Sequence, residues 1–543
     1  MAAPWLRPTC SDSNCTSPAR LAVIDTRSVI FLASENGALP GGKVGGVGDV
    51  VRDLPIALAA EDWDVTVATP AYGTLHRLPN ASILATIDVA FRGDSYAVGV
   101  WEVPSNSYGV RNIVFEHRFF SEHGTGLIYV GDQDHRPYAN DADKFAFYSA
   151  AAAQWIFASE RLPDVVHVHD WHAAFYLLLT NYAERFRHLK DIRTVFTIHN
   201  LSYQGIRPIS GDESSLEAWF HGVHFDYGTI VDPRYADCVN PMAAAIRLAD
   251  RVSTVSPTYA EEICRPTDPA TGFIGGEGLE EDLLKARAEG RLAGVLNGCY
   301  YDVPLGRRPG WQRLCGMIRT QLETWRDEQP AEEAHALALE RLERLPTRRP
   351  SHVLTSIGRL VAQKATLLLH ELEDGTSALQ HIAENLGNKG VILLLGSGDP
   401  QFEERLLQQA RDIPNLVFLR GYSEDLAGPL YHGGDLFLMP SSFEPCGISQ
   451  MLAMRGGQPC VVHGVGGLRD TIDDGVTGFV FDGDSVREQA MNFVDRTARA
   501  IKLRASDPIR WRKICRAAAA CRFDWQASAR QTIQTLYGDD DER

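Results

Sequence analysis

Short apolar, β-branched runs alternate with stretches of helical periodicity along almost the whole chain. One series lies at 28–34, 65–69, 165–169, 194–199 and 252–255, and a second at 353–357, 391–395, 416–419, 435–439 and 460–463. Several runs are apolar at every position, as from Val391 to Leu395. A strand apolar on both faces is buried on both, which is the habit of parallel sheets covered by helices. Two such series predict an α/β protein with two doubly wound, Rossmann-like, parallel-sheet domains. Ligands of such sheets sit beyond the carboxyl ends of the strands. Between the two series, in about 310–350, "EEAHALALERLERLPTRRP" alternates charges with Ala and Leu at helical spacing. It predicts a solvated surface helix near the domain junction.

Length agrees with two domains, since 543 residues exceed what one core usually holds. The formal net charge of -17 disfavours nucleic acid and anionic membrane surfaces as partners, because both need a basic face. A few local cations can still hold an anionic small ligand. Ten scattered cysteines, with no CxxC pair, read as free thiols of a reducing compartment. No apolar run approaches the ~20 residues of a membrane span. Residues 1–27 lack an apolar signal core and read as a disordered tail; Asp12 and Asp25 argue against a transit peptide.

Chemistry-bearing residues gather at the predicted strand ends. "GGKVGGVGDVV" (41–51) fails as a dinucleotide fingerprint, because no G-x-G-x-x-G opens the helix. Its glycines either admit a ligand to the backbone at a helix N-terminus or only make a tight turn. In "HVHDWHAA" (167–174), His167, His169 and His172 invite a metal reading, against the commoner hydrogen-bonded core histidine. "TIHNLSYQG" (197–205) offers Asn200 as a helix cap, and Ser256-Pro257 reads as a cap and first-turn proline. In "IGRLVAQK" (357–364), Arg359 and Lys364 suit a diphosphate, the Arg as a fork and the Lys as a point charge; the alternative is a solvated basic turn. "LLLGSGDP" (393–400) is a lone GxG turn. Glu444, in the turn "SSFEPCG", is either an ordinary capping acid or a ligand for sugar hydroxyls. "GVGGLRDTI" (464–472) is a third glycine loop that opens a helix.

In order along the chain, "KVGGVGD", "HVHDWHAA", "TIHNLSYQG", "VSTVSPTYAEEI", "GVLNG", "GRLVAQK", "LLGSGDP", "FLMPSSFEPCGISQ" and "GGLRDT" resemble the blocks of bacterial glycogen synthases and plant starch synthases. These are retaining GT-B glucosyltransferases. The resemblance runs from about Ser28 to the C-terminus. It implies an N-terminal domain at 28–304, a nucleotide-sugar domain at 305–515 and a C-terminal helix at 516–543, including "FDWQASARQTIQTLY", that returns to the first domain. It implies that Lys43, Gly45, Gly46 and Asp49 line the donor cleft, and that Arg359 and Lys364 hold the leaving diphosphate; Asp49, at the helix start, either orients a sugar hydroxyl or caps the helix. Glu444 and His169 would meet the transferred sugar, with Cys446, Gly447 and Ser449 beside the phosphates and sugar. Asn297 would lie near the reaction centre and Tyr422 against the base or ribose.

The implied reaction moves glucose from ADP-glucose to an α-1,4-glucan such as glycogen, with retention, in the cytoplasm or at glycogen granules. No metal and no cofactor beyond the nucleotide sugar is implied, because Arg359, Lys364 and helix N-termini take up the leaving charge. Hinge closure would assemble the site from both domains.

The chain departs from the family pattern at Ala365, where Gly is usual, and at Ser449, where Thr is common. Cys299-Tyr300-Tyr301-Asp302 stands where Ile-Asp is usual, and no Trp-Asn-Pro follows. His463-Gly464-Val465 replaces a more usual Arg-Thr or Arg-Ala pair. The other readings are a related transferase using UDP-glucose or a small acceptor, a weakly active glucan-binding paralogue, and a metallohydrolase on His167 and His169. Leu452 stands where many UDP-sugar relatives carry a second Glu, which favours the glycogen synthase branch.

Overall fold

The computed structural model describes residues 26–131, 136–301, 307–328 and 333–538. The expected tail, apart from residues 26 and 27, the expected domain junction at 304/305, Asp302 and the last five residues therefore lie outside the described residues.

Each apolar series builds one sheet. In the N-terminal sheet the strands lie in the order Leu292–Gly294, Arg251–Thr254, Arg193–Ile198, Val165–His169, Ser28–Leu32, Asp64–Pro70, Val110–Glu116, Asp94–Glu102, Ser82–Phe91. The first seven run parallel, and Asp94–Glu102 pairs antiparallel with both of its neighbours. The sheet is thus parallel in its body and mixed at one edge. Residues 82–102 gave no continuous apolar run, because an edge hairpin leaves much of its side-chain surface in water; Ile83 and Leu84 are both exposed.

The C-terminal sheet is wholly parallel, in the order Leu416–Arg420, Gly390–Gly396, His352–Ile357, Leu436–Met439, Cys460–His463, Phe479–Phe481. Every residue of Gly390–Gly396 is buried, as helices on both faces require.

The charged stretch near 310–350 is not simply a solvated helix. It forms two helices, Trp311–Glu328 and Glu333–Arg344. Leu314, Ile318 and Leu322 of the first and Ala338 and Leu342 of the second are buried in the core of the C-terminal domain. Their spacing places them on one helix face, and the charges occupy the other.

The two domains touch along a defined seam. Helix Pro257–Glu262 packs against helix Gly466–Thr471. Thr258 donates its backbone N–H (2.9 Å) and hydroxyl (2.6 Å) to Asp470. Glu262 accepts the backbone N–H of Gly466 on both oxygens, at 3.0 and 3.1 Å. Ser256 caps its own helix and also donates to the Pro445 carbonyl at 2.5 Å.

Helix Trp525–Thr532 and the π-turn Ile533–Tyr537 lie on the N-terminal domain, against helix Gly46–Ala59. The eight cysteines among the described residues are all free. Among the described residues no helix is long and apolar enough to cross a membrane.

Candidate active site

The N-terminal wall is the loop between strand Ser28–Leu32 and helix Gly46–Ala59. A buried carboxylate, Glu35, organises it. Its Oε2 accepts the backbone N–H groups of Val44 (2.8 Å), Gly45 (2.7 Å) and Gly48 (3.3 Å), and its Oε1 accepts the Tyr129 hydroxyl at 2.8 Å. Two amides left open by the helix start, those of Gly45 and Gly48, and the preceding Val44 amide are thereby satisfied by one side chain. A Cβ on Gly48 would stand 2.8 Å from Lys43 Cγ and 2.9 Å from Glu35 Oε2, so glycine is required there by close approach. Around Gly46 there is open space.

Asp49 does not cap the helix. It pairs with Lys43 at 2.6 Å and Arg52 at 3.1 Å. Sequence reasoning assigned nothing to Glu35; a lone acid inside a strand-end turn carries no pattern of its own.

The floor of the N-terminal domain is a histidine cluster at the ends of Val165–His169 and Arg193–Ile198. His167 Nδ1 lies 2.7 Å from the Tyr537 hydroxyl and its Nε2 2.6 Å from Thr197 Oγ1. Both ring nitrogens are therefore committed, and His167 ties the C-terminal segment to the sheet rather than binding metal. Among the described residues no three His, Cys, Asp or Glu are grouped to hold a metal ion.

His169 Nδ1 lies 2.9 Å from His199 Nε2, while its own Nε2 is buried with no partner among the described residues. Burial pushes His167 and His199 down to about 3 and His169 well below the ordinary imidazole value. Asp170 has a left-handed backbone (φ 52°), uncommon for a residue with a side chain. Its carboxylate accepts the His199 N–H at 2.7 Å, and burial raises it to about 7. Asn200 makes an Asx turn to Ser202 N–H at 3.0 Å; no helix starts there, so it is not a helix cap.

The C-terminal wall lies at the carboxyl ends of His352–Ile357 and Leu436–Met439. A cavity there is lined by Gly358, Arg359, Lys364 and Ser441, among others. Lys364 Nζ donates to Glu444 Oε2 at 2.6 Å, and Ser441 Oγ donates to the same oxygen at 2.9 Å. The Glu444 carboxylate thus faces a cation and a hydroxyl, not the amides of helix Ser449–Arg455. Gly447 takes φ 76°, and a Cβ there would meet Gln450 Oε1 at 2.6 Å. The Tyr431 hydroxyl donates to Ser449 Oγ at 3.0 Å. Arg359 is exposed at the cavity mouth.

Asn297 joins the walls. The backbone N–H of Asn297 faces the buried Cys446 thiol, so the "LNG" turn touches the Glu444 loop. Tyr422, 64% exposed, donates to Glu424 at 3.2 Å. Its hydroxyl is pushed up to about 12 by partial burial first and then by Glu424, with Asp49 of the facing wall adding. Among the described residues no hydrogen bond or ion pair links the Lys43–Asp49 pair to the Lys364–Glu444 pair.

Residues 28–285 match the starch synthase catalytic domain, and residues 351–498 match the glycosyl transferases group 1. A glycogen synthase of Anaeromyxobacter sp. (strain Fw109-5) is 35% identical over 526 residues, 94% of this chain and 98% of the relative. One from Streptococcus sanguinis (strain SK36) is 32% identical over 92% of this chain and 98% of its own. The chain belongs to the glycogen synthase and starch synthase family.

The catalytic domain of starch synthase IV from Arabidopsis thaliana, solved with ADP and acarbose, matches with a TM-score of 0.71 at 27% identity, covering 94% of this chain and 98% of that one. A sucrose-phosphate synthase from Thermosynechococcus elongatus, at 18% identity and a TM-score of 0.52, shares the fold. The architecture is GT-B, and this glycogen and starch synthase family member is a glycosyltransferase.

Its departures from the family pattern are built into packing. Cys299 N–H donates to the Phe523 carbonyl at 2.6 Å, and Phe523 N–H donates to the Tyr301 hydroxyl at 3.1 Å. Arg522 and Arg455 lie 4.9 and 5.5 Å from the Tyr301 ring centroid. The unusual Cys299-Tyr300-Tyr301 stretch therefore clamps the chain where it returns from the second domain. His463 stacks on Phe481 at 5.2 Å and reaches the Ser441 carbonyl at 3.0 Å with Nδ1, bracing the turn that carries Glu444. Ala365 is buried in the core of the C-terminal domain.

Proposed function

We propose that the chain transfers glucose from ADP-glucose to the non-reducing end of an α-1,4-glucan such as glycogen, with retention of configuration, in the cytoplasm. The observation that carries this reading is the Lys364–Glu444 pair at 2.6 Å in the strand-end cavity beside Arg359. Breaking the anomeric C–O bond sends its electron pair to the diphosphate. Arg359 and Lys364 stabilise that charge, and a positioned donor of this kind contributes about 2.7–4 kcal/mol. Glu444 orients the sugar hydroxyls, and His169 Nε2 is the neutral group turned to the sugar.

The acceptor 4-hydroxyl attacks from the face the diphosphate leaves and gives its proton to the departing oxygen. Lys43, Gly45, Gly46 and Asp49 close the cleft from the other domain. Cys446, Gly447 and Ser449 shape the phosphate loop, Asn297 braces it, and Tyr422 meets the base or ribose. ADP in the starch synthase IV structure supports the adenine nucleotide over a uracil one.

The test incubates the protein with labelled ADP-glucose or UDP-glucose, with and without glycogen, in EDTA. Glucan labelling from ADP-glucose that survives EDTA is the expected result. Faster labelling from UDP-glucose, or of a small acceptor only, overturns the donor or acceptor assignment. Glycogen binding without turnover on either donor makes the chain a binding paralogue.

A further inference from the structure

At the amino-terminal edge of the C-terminal sheet, away from the cleft, three arginines converge on one carboxylate oxygen. Arg308 and Arg349 each place Nη2 2.9 Å from Asp435 Oδ1, and Arg504 places Nη2 at 3.1 Å. Asp435 is buried, and its Oδ2 accepts the Val353 N–H at 2.9 Å. The arginines come from three separate segments. Two belong to "RRP" turns, at 307–309 and 348–350, and the third to helix Val486–Ser506.

The charges do not balance. Three guanidiniums face one carboxylate, and among the described residues none of the three is ion-paired to any other acid. The carbonyls of Gly433 and Gly434, at the C-terminal end of helix Glu424–Gly433, supply only partial negative charge. His352 lies 3.2 Å from Arg504 Nη1 and is held low by burial and then by Arg504; His432 is held low by burial and then by Arg308. Arg349 is itself pushed below the ordinary arginine value by burial, with Arg308 and Arg504 opposing its charge and Asp435 supporting it.

Donors also remain. Among the described residues Arg308 and Arg349 bond only through Nη2, to Asp435 and to backbone carbonyls. Their Nε and Nη1 groups have no partner among the described residues, and the Arg308 side chain is 46% exposed.

We propose that Arg308, Arg349 and Arg504 form a second anion site that takes a phosphomonoester dianion. Guanidinium forks match tetrahedral phosphate oxygens and stay charged at every physiological pH. A phosphomonoester carries about -1.5 to -2 charge at pH 7, which neutralises the excess left after Asp435. Strand His352–Ile357 runs from this site toward Arg359. At ~3.3 Å per residue its six residues put roughly 17 Å or more between the two, so one phosphate cannot serve both.

The probe is inorganic phosphate, titrated by calorimetry against chloride at matched ionic strength. The protein is the Arg359→Gln, Lys364→Gln double variant, which removes the cleft's own cations. Saturable binding of one phosphate per chain is expected. Adding Arg308→Gln should weaken it about tenfold or more, since a charged hydrogen bond contributes about 1.5–3 kcal/mol, while Arg308→Lys should weaken it less. Lowering the pH from 7 to 5 should weaken it further as the dianion takes up a proton. No saturable binding in the double variant overturns the proposal. So does an affinity unchanged by Arg308→Gln, a half-exposed position whose loss leaves Asp435 paired to two arginines.

Discussion

The Lys364 ammonium lies 2.6 Å from Oε2 of Glu444, and 80 residues of chain separate the two. The pair joins the ends of two adjacent strands, His352–Ile357 and Leu436–Met439. Both side chains are largely buried, 22% and 8% exposed, so each sets the electrostatics of the other. The Lys364 cation is thus held in the cavity before a diphosphate arrives, and Glu444 is oriented before a sugar does.

Lys364→Ala and Glu444→Ala are each expected to lower kcat about 10²–10³-fold, the scale of losing one positioned electrostatic group. Among the described residues Lys364→Ala leaves Glu444 with only Ser441 as donor, so a lower melting temperature should accompany it. Steady-state kinetics with ADP-glucose and glycogen, alongside circular dichroism, checks this. Near-normal kcat in either folded variant removes that residue from the site.

Glu35 acts through the loop rather than on the ligand. Glu35→Ala strips the acceptor from the amides of Val44, Gly45 and Gly48; only Gly48 is buried, and leaving its donor unpaired costs about 1–3 kcal/mol. KM for the donor should rise and the melting temperature fall. Glu35→Gln keeps one acceptor oxygen and should recover much of both. If Glu35→Ala changes neither, the loop holds its shape without this carboxylate.

Gly447→Ala should damage activity more than stability. The φ of 76° costs roughly 1–2 kcal/mol for a residue with a Cβ, and the Cβ meets Gln450 Oε1 at 2.6 Å and Glu444 Cγ at 3.1 Å. Moving the turn displaces Glu444 from Lys364. The readout is a fall in kcat of at least about tenfold with a melting shift of only a few degrees, in line with a small local cost. Wild-type kcat would show that the turn tolerates the shift.

The histidine floor gives stability a pH dependence of known sign. His167 and His199 fall to about 3 when folded, and His169 and His172 fall well below the ordinary value, all by burial first. In the unfolded chain each titrates near about 6.5. Below that pH the unfolded state takes up protons the folded state refuses. Stability therefore drops with falling pH, by up to roughly 1.4 kcal/mol per pH unit for each histidine. Asp170 and Glu262, raised to about 7 by burial, work the other way. Folded, they hold a proton that the unfolded carboxyls release above about 4, so they add stability as pH falls through 7. Four histidines outweigh two acids. The denaturation midpoint should fall between pH 6.5 and 5, more steeply in Asp170→Asn. A flat or rising profile contradicts the burial of this cluster.

Much of the fold was legible because continuous apolar strands have one good solution, a parallel sheet with both faces covered. The ten expected runs each correspond to a strand within a residue or two. The edge hairpin 82–102 was not legible, since half-solvated strands give no continuous run. The helices at 311–344 look solvated in sequence, because charges dominate their composition while their buried face shows only in the spacing of Leu and Ile.

Site residue types were legible where a motif concentrates them: Arg359 with Lys364, the glycines after Lys43, Glu444 in its turn. Their partners were not. Glu35, which holds the glycine loop, and Tyr537, which occupies His167, lie outside any motif.

By itself the sequence marked the ten continuous apolar strands, their ends and the ionisable groups that stand there. These are local matters of period and residue type. Only the tertiary structure decided that Asp49 binds Lys43 and Arg52 instead of capping a helix, and that Glu444 faces Lys364 instead of amides. It also decided that His167 is committed to Tyr537 and that three distant arginines share Asp435. Hydrogen-bond partners are chosen across the fold, by which buried polar groups need satisfying and which side chains packing brings within 3 Å of them. No local pattern encodes that choice.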